Sequence, residues 1–340
     1  MVQLRRRQLK KKSDSSWQIF IICSFLFFFV VIIGSYPNSI DNASNTSREL
    51  IDSSELESII LDFMAKFSDP SISNIYNNYT LDEEGSPSIL YNKSTPQGKA
   101  FDWLRYHDKY SKIHIRTNEE IIQRFVIVTL FFSTEGSYND NFATQFTPTS
   151  NKRAMWTSRG TLGFLNSNNH ECNWNERDIV GGSFHGIKCS KNMKVEEIHL
   201  ANVDLNGYIP CEIGLLSDLV KLDLSNNYLQ HYIPTSFGLL QKAKEIHLDG
   251  NLLVGPIPTE LSSLQKLQTL RLHSNRVHGE NVDSIFCSSR NEASYIDLSM
   301  DCLPSFDHNT CTCCTKCCNF SDECVFTSND NNDDLSGYYN

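Results

Sequence analysis

From Val195 onward the chain repeats itself every 24 residues, and this period restricts the possible folds more than any other feature of it. Aligned on the pattern Leu-x-x-Leu-x-Leu-x-x-Asn-x-Leu-x-Gly-x-Ile-Pro, four units start at Val195, Leu219, Ala243 and Leu267. Their fourth positions are Ile198, Leu222, Ile246 and Leu270, and their sixth are Leu200, Leu224, Leu248 and Leu272. Asn227, Asn251 and Asn275 hold the ninth position, and Ile-Pro closes three units at 209–210, 233–234 and 257–258. A degenerate fifth unit runs from about Ala293 through Ile296 and Leu298. A unit this short cannot close a core alone, so neighbouring units must stack and share one. The repeated asparagine suits the bend of each coil, where its amide can bond backbone groups that would be costly to bury unpaired. Val203 replaces that asparagine in the first unit and His231 replaces the glycine of the second, so local distortion is expected there.

The charge is unevenly spread. The chain has 30 Lys and Arg against 40 Asp and Glu, a net charge of −10. Residues 1–16 carry +5 and residues 17–35 carry no charge, which leaves −15 for residues 36–340. That excludes a basic nucleic-acid surface for the bulk of the protein. Residues 17–34 (WQIFIICSFLFFFVVIIG) form an apolar stretch about 27 Å long as a helix, enough to cross a hydrocarbon core. Arg5, Arg6, Arg7, Lys10, Lys11 and Lys12 before it favour a cytoplasmic N-terminus, with the remainder extracellular or lumenal. The alternative is a cleaved signal peptide, which would make the protein secreted. Asn-x-Ser/Thr sequons at Asn42, Asn45, Asn78, Asn92 and Asn319 all follow this stretch, as do eleven of the twelve cysteines.

Between the anchor and the repeats the pattern is helical. After a 35–53 linker, a capping box at Ser54 and Glu57 starts a helix over 54–68, with Leu56, Ile59, Ile60, Phe63, Met64 and Phe67 as its stripe. Residues 70–94 read as loop. Thr95-Pro96 starts a second helix, and a third follows Asn118 with Ile121, Ile122, Phe125, Val126, Val128 and Leu130 on it. The last contains Arg124 and is too short to span a bilayer, so it reads as a core helix. Residues 134–171 read as loop anchored by Trp156 and Phe164, and His107-Asp108 as a dipeptide without partners at a helix end.

Over residues 172–302 the chain resembles plant-type extracellular leucine-rich repeat proteins, the class of receptor-like proteins and polygalacturonase inhibitors. ANVDLNGYIPCEIGLLSDLVKLDLSNNYL and LDGNLLVGPIPTELSSLQKLQTLRLHSN carry its Leu-x-Gly-x-Ile-Pro element. Cys172-x-Trp174 with Gly186-Ile187-x-Cys189 is similar to the family's N-terminal cap, here interrupted by about nine residues near 176–184. TPQGKAFDWLRYHD and FFSTEGSYND, within 96–140, are similar to the N-terminal region of membrane-anchored relatives in diatoms. The resemblance implies an α/β solenoid with a short parallel sheet on its concave face. The expected order is a cytoplasmic tail (1–16), transmembrane helix (17–34), linker (35–53), helical region (54–171), cap (172–194), repeats (195–301), Cys-rich cap (302–326) and acidic tail (327–340). One departure is the position of the membrane helix, which in plant receptor-like proteins follows the repeats.

The resemblance also implies a site: the outward residues of the strand face, binding a protein, peptide or glycan. These are Glu197, His199, Lys221, Asp223, Ser225, Glu245, His247, Asp249, Thr269, Arg271 and His273, with Asp297 and Ser299 continuing the columns at the fifth and seventh positions. Three histidines among carboxylates could hold a metal or respond to pH, but a solvated polar face is the simpler reading. Cys172 and Cys189 are expected to pair at the N-terminal cap. Cys287, Cys302, Cys311, Cys313, Cys314, Cys317, Cys318 and Cys324 read as a disulfide cap over the open end of the solenoid rather than a zinc site. Spacing alone does not give the connectivity. Cys211 is the odd thiol, either buried or linking two chains. No nucleophile elbow, phosphate loop or other catalytic arrangement is present in the sequence, and no cofactor is implied. The expectation is a membrane-anchored recognition or adhesion protein without enzymatic activity. The alternatives are a secreted inhibitor of a cell-wall hydrolase and a structural wall or matrix component.

Overall fold

The computed structural model describes residues 53–66, 88–114, 116–134, 164–177, 184–279, 282–287, 296–302, 311, 313–318 and 324–326. The repeats stack into a solenoid whose long sheet has nine strands in the order β1-β2-β3-β5-β7-β9-β11-β12-β13. These are β1 (Asn175–Arg177), β2 (Phe184–Cys189), β3 (Val195–His199), β5 (Lys221–Asp223), β7 (Glu245–His247), β9 (Thr269–Arg271), β11 (Asp297–Asp301), β12 (Lys316–Cys318) and β13 (Cys324–Phe326). The pairs from β3 to β12 are parallel, each strand hydrogen-bonded to its equivalent one coil away. The inward positions Ile198, Leu222, Ile246 and Leu270, with Leu200, Leu224, Leu248 and Leu272, are completely buried. Each such side chain contributes about 1.5–3 kcal/mol when removed from water.

The asparagines bind successive coils together. Asn227 Oδ1 accepts from the Val203 and Leu205 amides at 3.1 and 3.0 Å, and its Nδ2 donates to the Leu200 and Leu224 carbonyls at 2.7 and 2.9 Å. Asn251 and Asn275 repeat this one and two coils on. After the last asparagine, Asp301 accepts from the Ser274 and Asn275 amides at 2.9 and 3.0 Å.

A second parallel sheet, not anticipated from the pattern, joins β4 (Asn206–Tyr208), β6 (Tyr228–His231), β8 (Leu252–Pro256) and β10 (Arg276–His278) in the order β10-β8-β6-β4. The Leu-x-Gly-x-Ile-Pro element forms it. Its prolines end the strand and open short 3₁₀ turns at Cys211–Leu215, Thr235–Leu239 and Thr259–Ser263. His231 takes the glycine's place with φ +69°, a left-handed backbone unusual for a residue with a Cβ. The distortion expected at this position is therefore in the backbone, while the coil stays in register with β8.

The helical region packs on the first coil. It comprises α1 (Ser53–Lys66), α2 (Ser88–Tyr91), α3 (Pro96–Asp102), α4 (Tyr110–Ile113) and α5 (Asn118–Thr134), with a π-helical turn at Trp103–His107. Helix α2 falls within the stretch read as loop and forms because Leu90 is buried against the core. Thr95 caps α3 by accepting from the Gly98 amide at 3.0 Å. Helix α5 is apolar nearly all round and buried on nearly all sides, as a core helix must be. It lies against α3, against the Cys211–Leu215 turn and against β4. At Gly207 (φ +135°) a Cβ would lie 2.1 Å from the Ser133 carbonyl oxygen, so the glycine permits the docking of α5.

A buried charged cluster holds this junction, and it corrects the reading of Asp108 as part of an unpartnered dipeptide. Arg124, Asp108 and Glu171 are all 0 % exposed. Arg124 donates to both Asp108 oxygens, from Nε at 2.8 Å and Nη2 at 2.7 Å, and to Glu171 Oε2 at 2.8 Å. Arg116 donates to Glu171 at 2.6 and 3.1 Å, and Gln123 ties Glu171 to the solenoid through the Val195 amide at 2.8 Å. The Arg124 guanidinium also stacks 4.7 Å from the Trp174 ring. Burial would raise the Glu171 pKa, but the charges and hydrogen bonds of Arg116 and the charge of Arg124 outweigh it and hold the carboxyl at about 2. Burial keeps the pKa of His170 below its ordinary value, so the two arginines face two carboxylates.

Candidate functional site

The strands of the long sheet bring the outward residues into rows because side chains alternate faces along each strand. One row runs Lys188, Glu197, Lys221, Glu245, Thr269 and Asp297, and the next runs His199, Asp223, His247, Arg271 and Ser299. The fifth coil therefore corrects the sequence alignment by two residues. Asp297 pairs with Thr269 and Ser299 with Arg271, and the inward pair is Leu298 and Met300. Ile296, Leu298 and Met300 alternate with period two, so apolarity alone fits either register. Pairing of β11 with β12 inside the cystine cap selects the observed one.

The rows are knit together rather than simply solvated. Lys188 Nζ donates to Glu197 Oε1 at 2.5 Å and Lys221 Nζ to Glu245 Oε2 at 2.6 Å. Glu197 Oε2 lies 2.7 Å from His199 Nε2. Asp223 accepts from Ser225 Oγ at 2.7 Å and lies 3.6 Å from His247 Nδ1. His273 bridges 2.9 Å to Ser299 Oγ and stands 3.9 Å from Asp249. His247, Ser225 and Ser299 are buried, which departs from the solvated face expected. Burial favours a protonated Asp223, but hydrogen bonds from His247 and Ser225 prevail and hold its pKa at about 2. Burial would likewise raise Glu197, and Lys188 and His199 draw it down instead. Arg271 projects from the same row without a side-chain hydrogen bond or ion pair among the described residues.

Both ends of this face are closed. At the first, Cys172 is bonded to Cys189, and the residues interrupting the cap form a hairpin of β1 and β2 whose tip lies outside the described residues. Trp174 is completely buried there, 5.9 Å from Trp103 edge to face. At the other end the bonds are Cys287–Cys313, Cys302–Cys317, Cys311–Cys314 and Cys318–Cys324. Sulfurs of Cys287, Cys311 and Cys313 approach one another, as do His273, Cys318 and Cys324, but as cystines they offer no thiolate to a metal. Cys211 lies outside these five disulfides, is buried, and has its Sγ 3.8 Å from Glu212 Oε2. Interchain pairing through it would require that site to open. Asn92 is exposed, and its Oδ1 accepts from the Ser94 amide at 3.0 Å and from Ser94 Oγ. Asn42, Asn45, Asn78, Asn319, Trp156 and the apolar stretch 17–34 fall outside the described residues. Among the described residues no helix is long and apolar enough to cross a membrane.

The Asp108–Arg124–Glu171 cluster was the element sequence reading missed. An arginine in the middle of an otherwise apolar helix was the available signal, since a buried guanidinium requires carboxylates close to it.

The family model for the leucine-rich repeat matches residues 217–277. Among solved structures, the ectodomain of the receptor kinase SOBIR1 from Arabidopsis thaliana is similar at 29% identity, over 30% of this chain and 53% of that one, with a TM-score of 0.24. The BIR2 ectodomain from the same plant is 31% identical over 37% of this chain and 59% of that one, at a TM-score of 0.28. The Arabidopsis HAESA ectodomain, solved with an extended IDA peptide hormone ligand, is 22% identical over 42% and 21%, at a TM-score of 0.32. The chain thus spans about half the length of the SOBIR1 ectodomain it matches. No curated protein matches it. The stacked coils and the matched model identify residues 217–277 as leucine-rich repeats.

Proposed function

We propose that this chain is a membrane-anchored, extracytoplasmic recognition protein that binds a protein or peptide partner through the outer face of its long sheet. The observation that carries the reading is the division of labour along each strand. Inward positions are apolar and buried, while the outward rows present charged and hydrogen-bonding groups on a rigid support. The disulfide-bounded β1–β2 hairpin and the cystine cap close the two ends of this sheet, leaving its outward rows as a broad regular surface. Residues 17–34 would hold the chain in the membrane with the repeats outside the cytoplasm. A binding role suits the site better than a catalytic one, because its carboxylates and histidines are engaged with one another rather than gathered around a cleft.

The test is proximity labelling by the full chain in its native cells, compared with a variant carrying Asp223→Lys, Asp249→Lys and Arg271→Glu. We expect the variant to fold, judged by its circular dichroism and disulfide content, and to lose its labelled partners. Retention of the same partners would place recognition elsewhere on the chain. Release of the N-terminal segment from the mature protein would favour the secreted hydrolase-inhibitor reading, which an inhibition assay would then examine.

A further inference from the structure

We infer that the outer face takes a cationic, hydrogen-bond-donating group, the guanidinium or ammonium of a basic peptide segment, at Asp249 and His247. This inference rests on the proposed recognition face and specifies its chemistry. Two buried side-chain atoms on this face lack a hydrogen-bond partner: the acceptor Asp249 Oδ1 and the ring nitrogen His247 Nε2. His247 is only 8 % exposed, yet it sits on the outward side of β7 between Asp223 and Arg271. His247 Nδ1 lies 3.6 Å from Asp223 Oδ2 and its Nε2 lies 3.9 Å from Glu245 Oε2, so the ring is held among carboxylates beside Asp249. A buried carboxylate oxygen left without a donor is costly, and an incoming N–H recovers that cost. The two residues are neighbouring outward positions, about 7 Å apart along an extended strand, and one guanidinium with its five N–H groups spans that distance.

Three further observations narrow the ligand. Lys221 already bonds Glu245 beside the site, so the chain itself supplies a cation that a ligand would displace. Both partners are long and partly exposed, so the pair can part. A bare metal ion is disfavoured, because no three ligand atoms converge here among the described residues and Arg271 adjoins the site. The charged and titratable groups facing His247 are Asp223 and Lys221 from β5, Glu245 and Asp249 from its own coil, and Arg271 and His273 from the next.

The experiment measures binding of the purified full chain to a hexapeptide of alternating arginine and glycine, with the citrulline peptide as the uncharged counterpart. At pH 7.5 the arginine peptide should bind at least tenfold more tightly than the citrulline peptide. Asp249→Asn should weaken it about tenfold or more, Lys221→Met should tighten it severalfold, and Asp218→Asn, on the turn between coils, should leave it unchanged. No binding, or equal loss in Asp249→Asn and Asp218→Asn, overturns the inference as non-specific attraction to an acidic protein. If the charge-reversed face loses its cellular partners while the arginine peptide fails to bind, the cationic ligand is refuted and the recognition face stands.

Discussion

Replacing Arg124 by methionine tests whether the buried charged cluster holds the helical region on the first coil. Methionine matches the length of the arginine stem but removes the guanidinium and with it all bonds to Asp108 and Glu171. Glu171 keeps Arg116 and Gln123, whereas Asp108 loses the partner of both its oxygens. Removing one member of a buried pair costs about 3–5 kcal/mol, because the remaining charge is stranded in a poor solvent. With a urea dependence of about 3 kcal/mol per molar, the unfolding midpoint should fall by roughly 1–2 M. The double variant Arg124→Met with Asp108→Leu removes the stranded charge as well, and should return to within about 1 kcal/mol of the unaltered protein. Tryptophan fluorescence is a suitable probe, since Trp103 and Trp174 both lie at the guanidinium. A midpoint shift below about 0.3 M for Arg124→Met would refute the reasoning. So would a double variant no more stable than the single one.

Asn251→Ala should cost about 1–3 kcal/mol in the same assay, since it orphans the Leu229 amide, while the Leu224 and Leu248 carbonyls each lose one of two amide donors and keep those of Asn227 and Asn275. Acid should destabilise the fold through Glu171 and Asp223, whose pKa values are both held at about 2. Their contribution is complete above the unfolded carboxylate pKa of about 4.3 and 3.9 and is lost as pH falls toward 2, so unfolding midpoints measured from pH 5 to 2 should decline. Glu171 accounts for about 3 kcal/mol of that decline, and the decline should shrink in Glu171→Gln.

The sequence by itself determined the solenoid. A 24-residue period with leucines two apart leaves stacked coils as the arrangement that buries every unit, and the asparagines satisfy the backbone that the bends would orphan. The outward positions of β3, β5, β7 and β9 followed from the same alternation. The tertiary structure decided the rest. The register of the fifth coil lies two residues from its sequence alignment, because alternating apolarity is indifferent to an even shift, and that symmetry is broken by pairing with the cystine cap and by the bonds of Ser299 and Asp301 to the preceding coil. Disulfide partners depend on the path between cysteines rather than on their spacing. The docking of α5, and the meeting of Arg124 with Asp108 and Glu171 across gaps of 16 and 47 residues, needed the packed chain, because no local pattern records which distant carboxylate a buried cation will reach. Burial of His247 and Ser225 within the polar rows likewise depends on neighbours one full coil away, and no local pattern records it.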